Sequence, residues 1–107
     1  MKHGPIALID EYRAVVCIAP ASAVYEKVVS NIQEIRCRKG KLILIASAGN
    51  RKIKELSSEV IYIPKIDELF SPLLVALPLQ LLAYHIAVKR GCDVDQPRNL
   101  AKSVTVE

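Results

Sequence analysis

The sequence has few of the residues that mark nucleic-acid-binding, fibrous or low-complexity proteins. It contains no Trp, and aromatic residues make up only 5% of the chain, which argues against a stacking platform for single-stranded nucleic acid. Its basic residues form no long run, and a net charge of +4 fits an anionic metabolite as well as it fits nucleic acid. Four Gly and six Pro in 107 residues exclude collagen-like and low-complexity architecture. We therefore expect no nucleic-acid partner.

Cysteine and histidine are also too few and too scattered to build a disulfide framework or a metal site. The three cysteines, Cys17, Cys37 and Cys92, are odd in number and form no C-x-x-C pair. Neither His3 nor His85 has a second His or a carboxylate at metal-ligand spacing. We predict reduced thiols in a cytoplasmic protein, Cys17 as a small core residue, and no metal or cofactor.

A secretory signal and a membrane anchor are not predicted either. Asp10 and Arg13 interrupt the beginning of the chain. The most apolar stretch, residues 73–88, contains Pro78 and Gln80 and is shorter than the roughly 20 residues that a membrane-spanning helix needs. We predict that it forms a buried helix of a soluble protein, with no membrane partner.

The chain as a whole has 51% apolar and 24% charged residues, a composition typical of a globular domain. Three short runs rich in Val and Ile predict strands at residues 14–19, 42–46 and 60–63. None of the runs alternates cleanly with polar residues. This is typical of strands that are covered on both faces in a parallel sheet.

Helical patterns lie between and after these runs. We predict a first helix from an N-cap at Ser22 to about Arg38, ended by Gly40. Its apolar stripe consists of Val24, Val28, Ile32 and Ile35. A shorter helix follows from a cap at Asn50 to about residue 58, burying Ile53 and Leu56.

The third helix is predicted from an N-cap at Ser71, with Pro72 at the first helical position, to the segment Lys89-Arg90-Gly91. Pro78 should kink or divide it, since proline lacks the amide and clashes with the preceding turn.

This order of elements predicts an α/β fold: a parallel sheet with helices on its faces, giving three layers. Three strands are few for such a sheet, and the first 13 residues contain no complete further element. We expect residues 1–92 to be the later part of an N-terminally truncated domain and residues 93–107 to be an extended tail.

Ligands of open α/β sheets lie beyond the carboxyl ends of the strands, which here are residues 20–22, 47–50 and 64–65. The second of these segments is small and polar and could hold an anion on its backbone amides. It matches neither a P-loop nor a G-x-G-x-x-G motif, so the residues alone favour an ordinary connection capped by Asn50.

Three side chains could carry chemistry, although each has a simpler interpretation. His3 could transfer protons near neutral pH, but a histidine near a terminus is more often solvated. Lys102 could attack a carbonyl to form a Schiff base, but a solvated tail lysine is the commoner case. His85, in the apolar stretch, is predicted to be a core histidine.

Three stretches of the chain together resemble one protein family. Residues 2–10 begin with Lys-His-Gly-Pro, residues 77–85 read Leu-Pro-Leu-Gln-Leu-Leu-Ala-Tyr-His, and residues 93–107 contain Asp-Gln-Pro-Arg-Asn-Leu-Ala-Lys-Ser. They are similar to the C-terminal end of the glutamine–fructose-6-phosphate aminotransferases (isomerising), within the second of two sugar-isomerase (SIS) domains. The resemblance covers essentially the whole chain, and the tail is its most specific part.

The resemblance implies a function and a set of site residues. Family members are cytoplasmic homo-oligomers that transfer ammonia from glutamine to fructose 6-phosphate and isomerise the product to glucosamine 6-phosphate, which begins hexosamine synthesis. By this resemblance, His3 helps to open the sugar ring in a neighbouring subunit's site, and Lys102 forms a Schiff base with the C2 carbonyl of the sugar. The backbone near Ala101 would contact the sugar.

The family's glutaminase nucleophile, phosphate-binding loop and isomerisation base have no counterpart in these 107 residues, so we expect the chain alone to be inactive. Two alternatives remain open: a non-enzymatic SIS module that binds sugar phosphates or mediates dimerisation, and a generic α/β interaction domain. The tail favours the enzyme family over both alternatives, because neither alternative needs a Schiff-base lysine in this setting.

Overall fold

The computed structural model describes residues 4–96, in which three strands form one parallel sheet. The strands, in the order in which they lie in the sheet, are β1 (Ala14–Ala19), β2 (Lys41–Ser47) and β3 (Glu59–Ile63). The α-helices are α1 (Tyr25–Cys37), between β1 and β2, and α2 (Ser71–Lys89), after β3. Short 3-10 helices span Pro5–Leu8, Lys52–Glu55 and Glu68–Phe70. The predicted α/β class, strand positions and parallel direction are confirmed.

The register places the carboxyl ends of the three strands along the same edge of the sheet. Ala19 at the end of β1 pairs with Ala46 of β2, and Ser47 at the end of β2 pairs with Ile63 at the end of β3. The connections that follow each strand therefore begin close together in space.

The main core lies between α1 and one face of the sheet. Ile32 and Ile35 of α1 are each 1% exposed, and both belong to a buried cluster with Leu42, Leu44 and Ala46 of β2. Burial of each Ile or Leu side chain of this cluster stabilises the fold by about 1.5–3 kcal/mol. The predicted stripe of α1 is confirmed at these two positions and at partly buried Val28, but it is wrong at Val24, which is 50% exposed.

The expectation that all three strands are covered on both faces is wrong for β1. Its Val16 and Ile18 are exposed, whereas the neighbouring β2 buries Leu44 on one face and Ile45 on the other. In the described sheet β1 pairs on one side only, so β2 alone has the central position that the continuous apolar pattern predicts.

The ends of α1 differ from the prediction. Val24, rather than Ser22, is the N-cap, and no side chain caps the helix. At the other end Lys39 adopts the left-handed conformation with φ 61°, and the Gly40 amide donates to the Ile35 carbonyl at 3.3 Å. Gly40 is needed for a different reason: a Cβ at this position would lie 2.7 Å from Cγ2 of Ile9.

The predicted cap at Asn50 is also wrong. The segment forms only the short 3-10 helix Lys52–Glu55, which begins after Arg51 without a side-chain cap. Asn50 instead donates its side-chain amide to the Tyr25 hydroxyl at 2.7 Å. Ile53 is fully buried, as predicted.

The helical segment that contains α2 begins earlier than predicted. Asp67 accepts a hydrogen bond from the Leu69 amide at 2.9 Å and so caps the 3-10 turn that leads into α2. Ser71 is already helical, and its hydroxyl donates to the Glu68 carbonyl.

The chain divides within α2 into two compact units, the first ending at Val75 and the second beginning at Ala76.

The helix α2 continues without a break across Pro78, so the division expected there does not occur. Its end is as predicted: Gly91 has φ 70°, and Cys92 donates to the Ala87 carbonyl while Gly91 donates to that of Val88. This pair of hydrogen bonds is a Schellman motif.

The apolar stretch at residues 73–88 forms a helix, as predicted. The prediction that this helix is buried is wrong. Leu73, Leu77 and Leu81 are each more than half exposed. With its preceding turn the helix spans Glu68–Lys89, 22 residues that include an 18-residue stretch of mean hydropathy 1.6, so it is long and apolar enough to cross a membrane. This is weak evidence for a membrane span, because core helices of soluble proteins have the same composition.

Candidate functional site

A cleft of about 550 Å³ lies at the carboxyl ends of the strands, within the unit that ends at Val75. It is lined by residues from the three segments that follow β1, β2 and β3, namely Ala21, Ser22, Tyr25, Ser47, Ala48, Gly49, Asn50 and Lys65. The volume falls within the ~300–1,000 Å³ typical of ligand pockets. The segments that the sequence singled out as strand ends therefore do form one concave surface.

Hydrogen bonds between segments far apart in sequence hold the cleft. Buried Ser47 accepts from the Ala21 amide at 2.9 Å, which joins the end of β2 to the turn after β1. The Asn50 side chain bonds the Tyr25 hydroxyl, and the Tyr62 hydroxyl donates to the Asn50 carbonyl at 3.0 Å. Residues 47–50 are thus fixed from both sides rather than forming a loose loop.

A smaller cleft of about 300 Å³ adjoins the first and shares residues 48–50 with it. Its other lining residues are Arg51, Lys54 and Tyr62, and the Lys54 ammonium lies 5.9 Å from the centre of the Tyr62 ring. Within residues 4–96, the cations Lys65, Arg51 and Lys54 have no carboxylate oxygen within 4 Å. The same edge also has a carboxylate, because Glu68 accepts from the Ala23 amide at 3.0 Å.

Sequence reasoning missed the two tyrosines of this region. Tyr25 and Tyr62 lie in an amphipathic helix and in an apolar strand, where a tyrosine is an ordinary packing residue. Their role in shaping the clefts is revealed only by their hydrogen bonds to Asn50, which is 25 residues from Tyr25 and 12 residues from Tyr62.

The site residues predicted by resemblance, His3, Ala101 and Lys102, lie outside the described residues, and their roles remain predictions. His85, predicted to be a core histidine, is instead exposed on α2, with its ring edge-on to Tyr84 at 5.4 Å. Cys17 is partly buried in β1 and packs against the core, and this burial raises the pKa of its thiol. Within residues 4–96 no group of three His, Cys, Asp or Glu side chains is placed to hold a metal ion.

The fold and a sequence match define the class of protein. A sequence model described as "SIS domain" matches residues 1–90, so most of the chain belongs to a SIS domain. Among solved structures, the C-terminal domain of glucosamine-fructose-6-phosphate aminotransferase from Francisella tularensis is similar to it with a TM-score of 0.77 and 38% sequence identity. The similarity covers 89% of this chain and 27% of that one.

Relatives of known name define the family within this class. The chain is 60% identical over its full length to glutamine–fructose-6-phosphate aminotransferase [isomerizing] of Chlorobaculum tepidum and to that of Thermus thermophilus, of which it spans 17% and 18%. It is 56% identical to the protein of the same name from Sphingobium yanoikuyae and spans 69% of it. The chain belongs to the glutamine–fructose-6-phosphate aminotransferases, an enzyme family, and corresponds to their C-terminal part.

Proposed function

We propose that the chain forms part of the sugar-converting site of an enzyme that makes glucosamine 6-phosphate from fructose 6-phosphate and glutamine-derived ammonia. The observation that carries this proposal is the 55–60% identity to enzymes of that name over all 107 residues, a length that includes the tail with Lys102. The chain spans less than a fifth of most of those relatives, so the remaining parts of the reaction would come from sequence beyond these residues. The same function implies a cytoplasmic homo-oligomer.

The proposed chemistry assigns one role to each of the three site residues. Lys102 attacks the C2 carbonyl of the open-chain sugar, and loss of water leaves an imine that activates C2 toward exchange with ammonia. The attack requires a neutral amine, and an unperturbed lysine with a pKa near 10.4 is almost fully protonated at pH 7. Closure of the tail over the sugar would remove water from the amine and lower its pKa. His3 assists ring opening, and the backbone near Ala101 contacts the sugar.

The role of Lys102 can be tested in a chimeric enzyme. The matching 107 residues of the Thermus thermophilus protein are replaced by this chain, and Lys102→Arg is introduced. Arginine keeps the positive charge but cannot form the imine, so we expect synthesis to fall at least ~100-fold while glutamine hydrolysis continues. Borohydride added with fructose 6-phosphate should attach the sugar phosphate to Lys102, as located by peptide mass. The matched variant Lys89→Arg should keep normal synthesis. Near-normal synthesis by Lys102→Arg, or an adduct on Lys89, would show that the assignment is wrong.

A second prediction concerns the 107-residue chain alone. We expect it to form no glucosamine 6-phosphate from glutamine and fructose 6-phosphate, because the resemblance places the glutaminase nucleophile, the phosphate-binding loop and the isomerisation base in other parts of the family enzymes. A coupled assay of product against an enzyme-free blank measures this. Product above the blank that disappears in a His3→Ala variant would contradict the expectation.

A further inference from the structure

The strand β1 has the sequence of a central strand but the exposure of an edge strand. All six residues of Ala14–Ala19 are apolar. Val15 and Cys17 pack against the core beneath α1, whereas Val16 and Ile18, on the opposite face of the sheet, are 37% and 45% exposed. Within residues 4–96, β1 pairs with β2 alone. Because an all-apolar strand is typical of the middle of a parallel sheet with both faces covered, β1 has room for one more strand and for a covering layer.

Symmetry and strand direction decide which occupant fits this edge. A second copy of the chain, related to the first by a two-fold axis, would place its own β1 antiparallel to the first one. The continuous apolar pattern of β1 is that of all-parallel sheets, so the fitting neighbour is a parallel strand of different sequence. The relatives contain much sequence outside the matching segment, since this chain spans 17% and 18% of the enzymes of Chlorobaculum tepidum and Thermus thermophilus. The part of such an enzyme that precedes the matching segment is therefore the occupant that the sheet favours.

We propose that the free edge of β1 is a docking site at which this chain binds, as a separate polypeptide, a family enzyme that lacks the matching C-terminal segment. The bound enzyme adds a strand parallel to β1 through main-chain hydrogen bonds, and its apolar side chains cover Val16 and Ile18. The docking rests on the sheet geometry and on the family to which the chain belongs. It requires no part in sugar conversion, so it stands or falls separately from the proposed function.

The test coexpresses the 107-residue chain, carrying an affinity tag, with the Thermus thermophilus enzyme from which the matching residues have been removed. We expect the two polypeptides to copurify in equal amounts. The intact Thermus thermophilus enzyme, in which its own residues already fill this position, should be recovered only at background level.

Two substitutions of equally exposed isoleucines locate the contact. Ile18→Lys places a charge on the face that the partner covers, so recovery of the shortened enzyme should fall at least ~10-fold. The control Ile66→Lys, which changes a residue 41% exposed in the segment after β3, should alter recovery less than about twofold. Since Ile18 is exposed in the chain alone, circular dichroism of the Ile18→Lys chain should match that of the original.

Hydrogen exchange on the original chain tests the strand pairing without any substitution. Binding should slow exchange at residues 14–19 more than at residues 59–63, because only β1 gains a neighbouring strand. Equal slowing in both strands, or equal recovery of the intact and shortened enzymes, would show that the partner binds another surface and would overturn the proposal. Recovery of nothing but further copies of the chain would overturn it as well, as would a shortened enzyme that stays insoluble beside the chain.

Discussion

At the scale of single residues, the most informative position is the end of α1, where Lys39 adopts the left-handed conformation that the sequence predicts for Gly40. Glycine is the residue usually found in the left-handed conformation after a helix, yet here Lys39 adopts it. Gly40 follows one position later, where the methyl groups of Ile9 and Ile35 approach its Cα and leave no room for a side chain. Lys39 therefore has the strained conformation, and Gly40 is the residue that must lack a side chain.

This arrangement predicts opposite effects for two substitutions. Lys39→Gly should raise the free energy of unfolding by about 0.5–1 kcal/mol, because a left-handed conformation is strained for lysine and not for glycine. Gly40→Ala should lower it by about 1–3 kcal/mol, since the new Cβ would lie 2.7 Å from the Ile9 methyl group. Urea unfolding measures both, with Lys27→Gly inside α1 as the control, expected to cost about 1 kcal/mol. A neutral Gly40→Ala would mean that Ile9 moves aside at no cost.

At the scale of elements, α2 combines a continuous helix with an internal proline. Pro78 has no amide to donate to the carbonyl four residues earlier. Pro72, near the start of the same helix, lacks the same group, but there the Glu68 carbonyl already accepts from the Ser71 hydroxyl at 2.9 Å. The two prolines are therefore not equivalent, although each precedes an apolar run.

We predict that Pro78→Ala stabilises α2 and increases the helical signal in circular dichroism, with a gain of up to ~3 kcal/mol in the free energy of unfolding. Pro72→Ala is the matched control and should change stability by less than ~1 kcal/mol. Thermal unfolding followed at the helical band separates the two variants. A loss of stability in Pro78→Ala would indicate that the packing of the proline ring outweighs the missing hydrogen bond.

At the scale of the whole molecule, many large apolar side chains of residues 4–96 are exposed. Leu73, Leu77 and Leu81 follow one another at spacings of four on α2, which places them along one face, and they are 58–69% exposed. Val16 and Ile18 are exposed on β1, a strand that pairs on one side only within the part of the chain that the structure describes. An unpaired strand edge next to apolar side chains favours association with another chain.

We therefore predict that the 107-residue chain associates with itself in a concentration-dependent manner. Light scattering over a dilution series should show a mass above that of the monomer at high concentration. The double variant Leu77→Gln with Leu81→Gln should lower that mass, whereas Leu8→Gln, which removes an equally exposed leucine outside α2, should not. A clean monomer with a cooperative melt at every concentration would show that the chain buries its own core sufficiently.

Elements whose signal is local were predictable from the sequence. The three strands appear as short Val- and Ile-rich runs, and each strand begins and ends within one residue of its predicted position. Ile32 and Ile35 were expected in the core because helical spacing places them on one face, and Gly91 was expected at the end of α2 because glycine adopts a left-handed conformation without strain. The family resemblance likewise depends on contiguous stretches of residues.

What only the tertiary structure decided depends on partners distant in sequence. Ser22 and Asn50 are good capping residues by type, but neither caps a helix, because the Asn50 side chain bonds Tyr25 and α1 begins only after Val24. Ser47 meets the Ala21 amide only when parallel pairing brings the ends of β1 and β2 to the same edge. A hydrogen bond across 26 residues leaves no periodicity or composition to detect, so the position of the cleft was predictable but the contacts that shape it became visible only in the folded chain. Burial also depends on partners distant in sequence. The apolar pattern of residues 73–88 determined that they form a helix. Whether a side chain of that helix is covered depends on neighbours that the pattern does not specify.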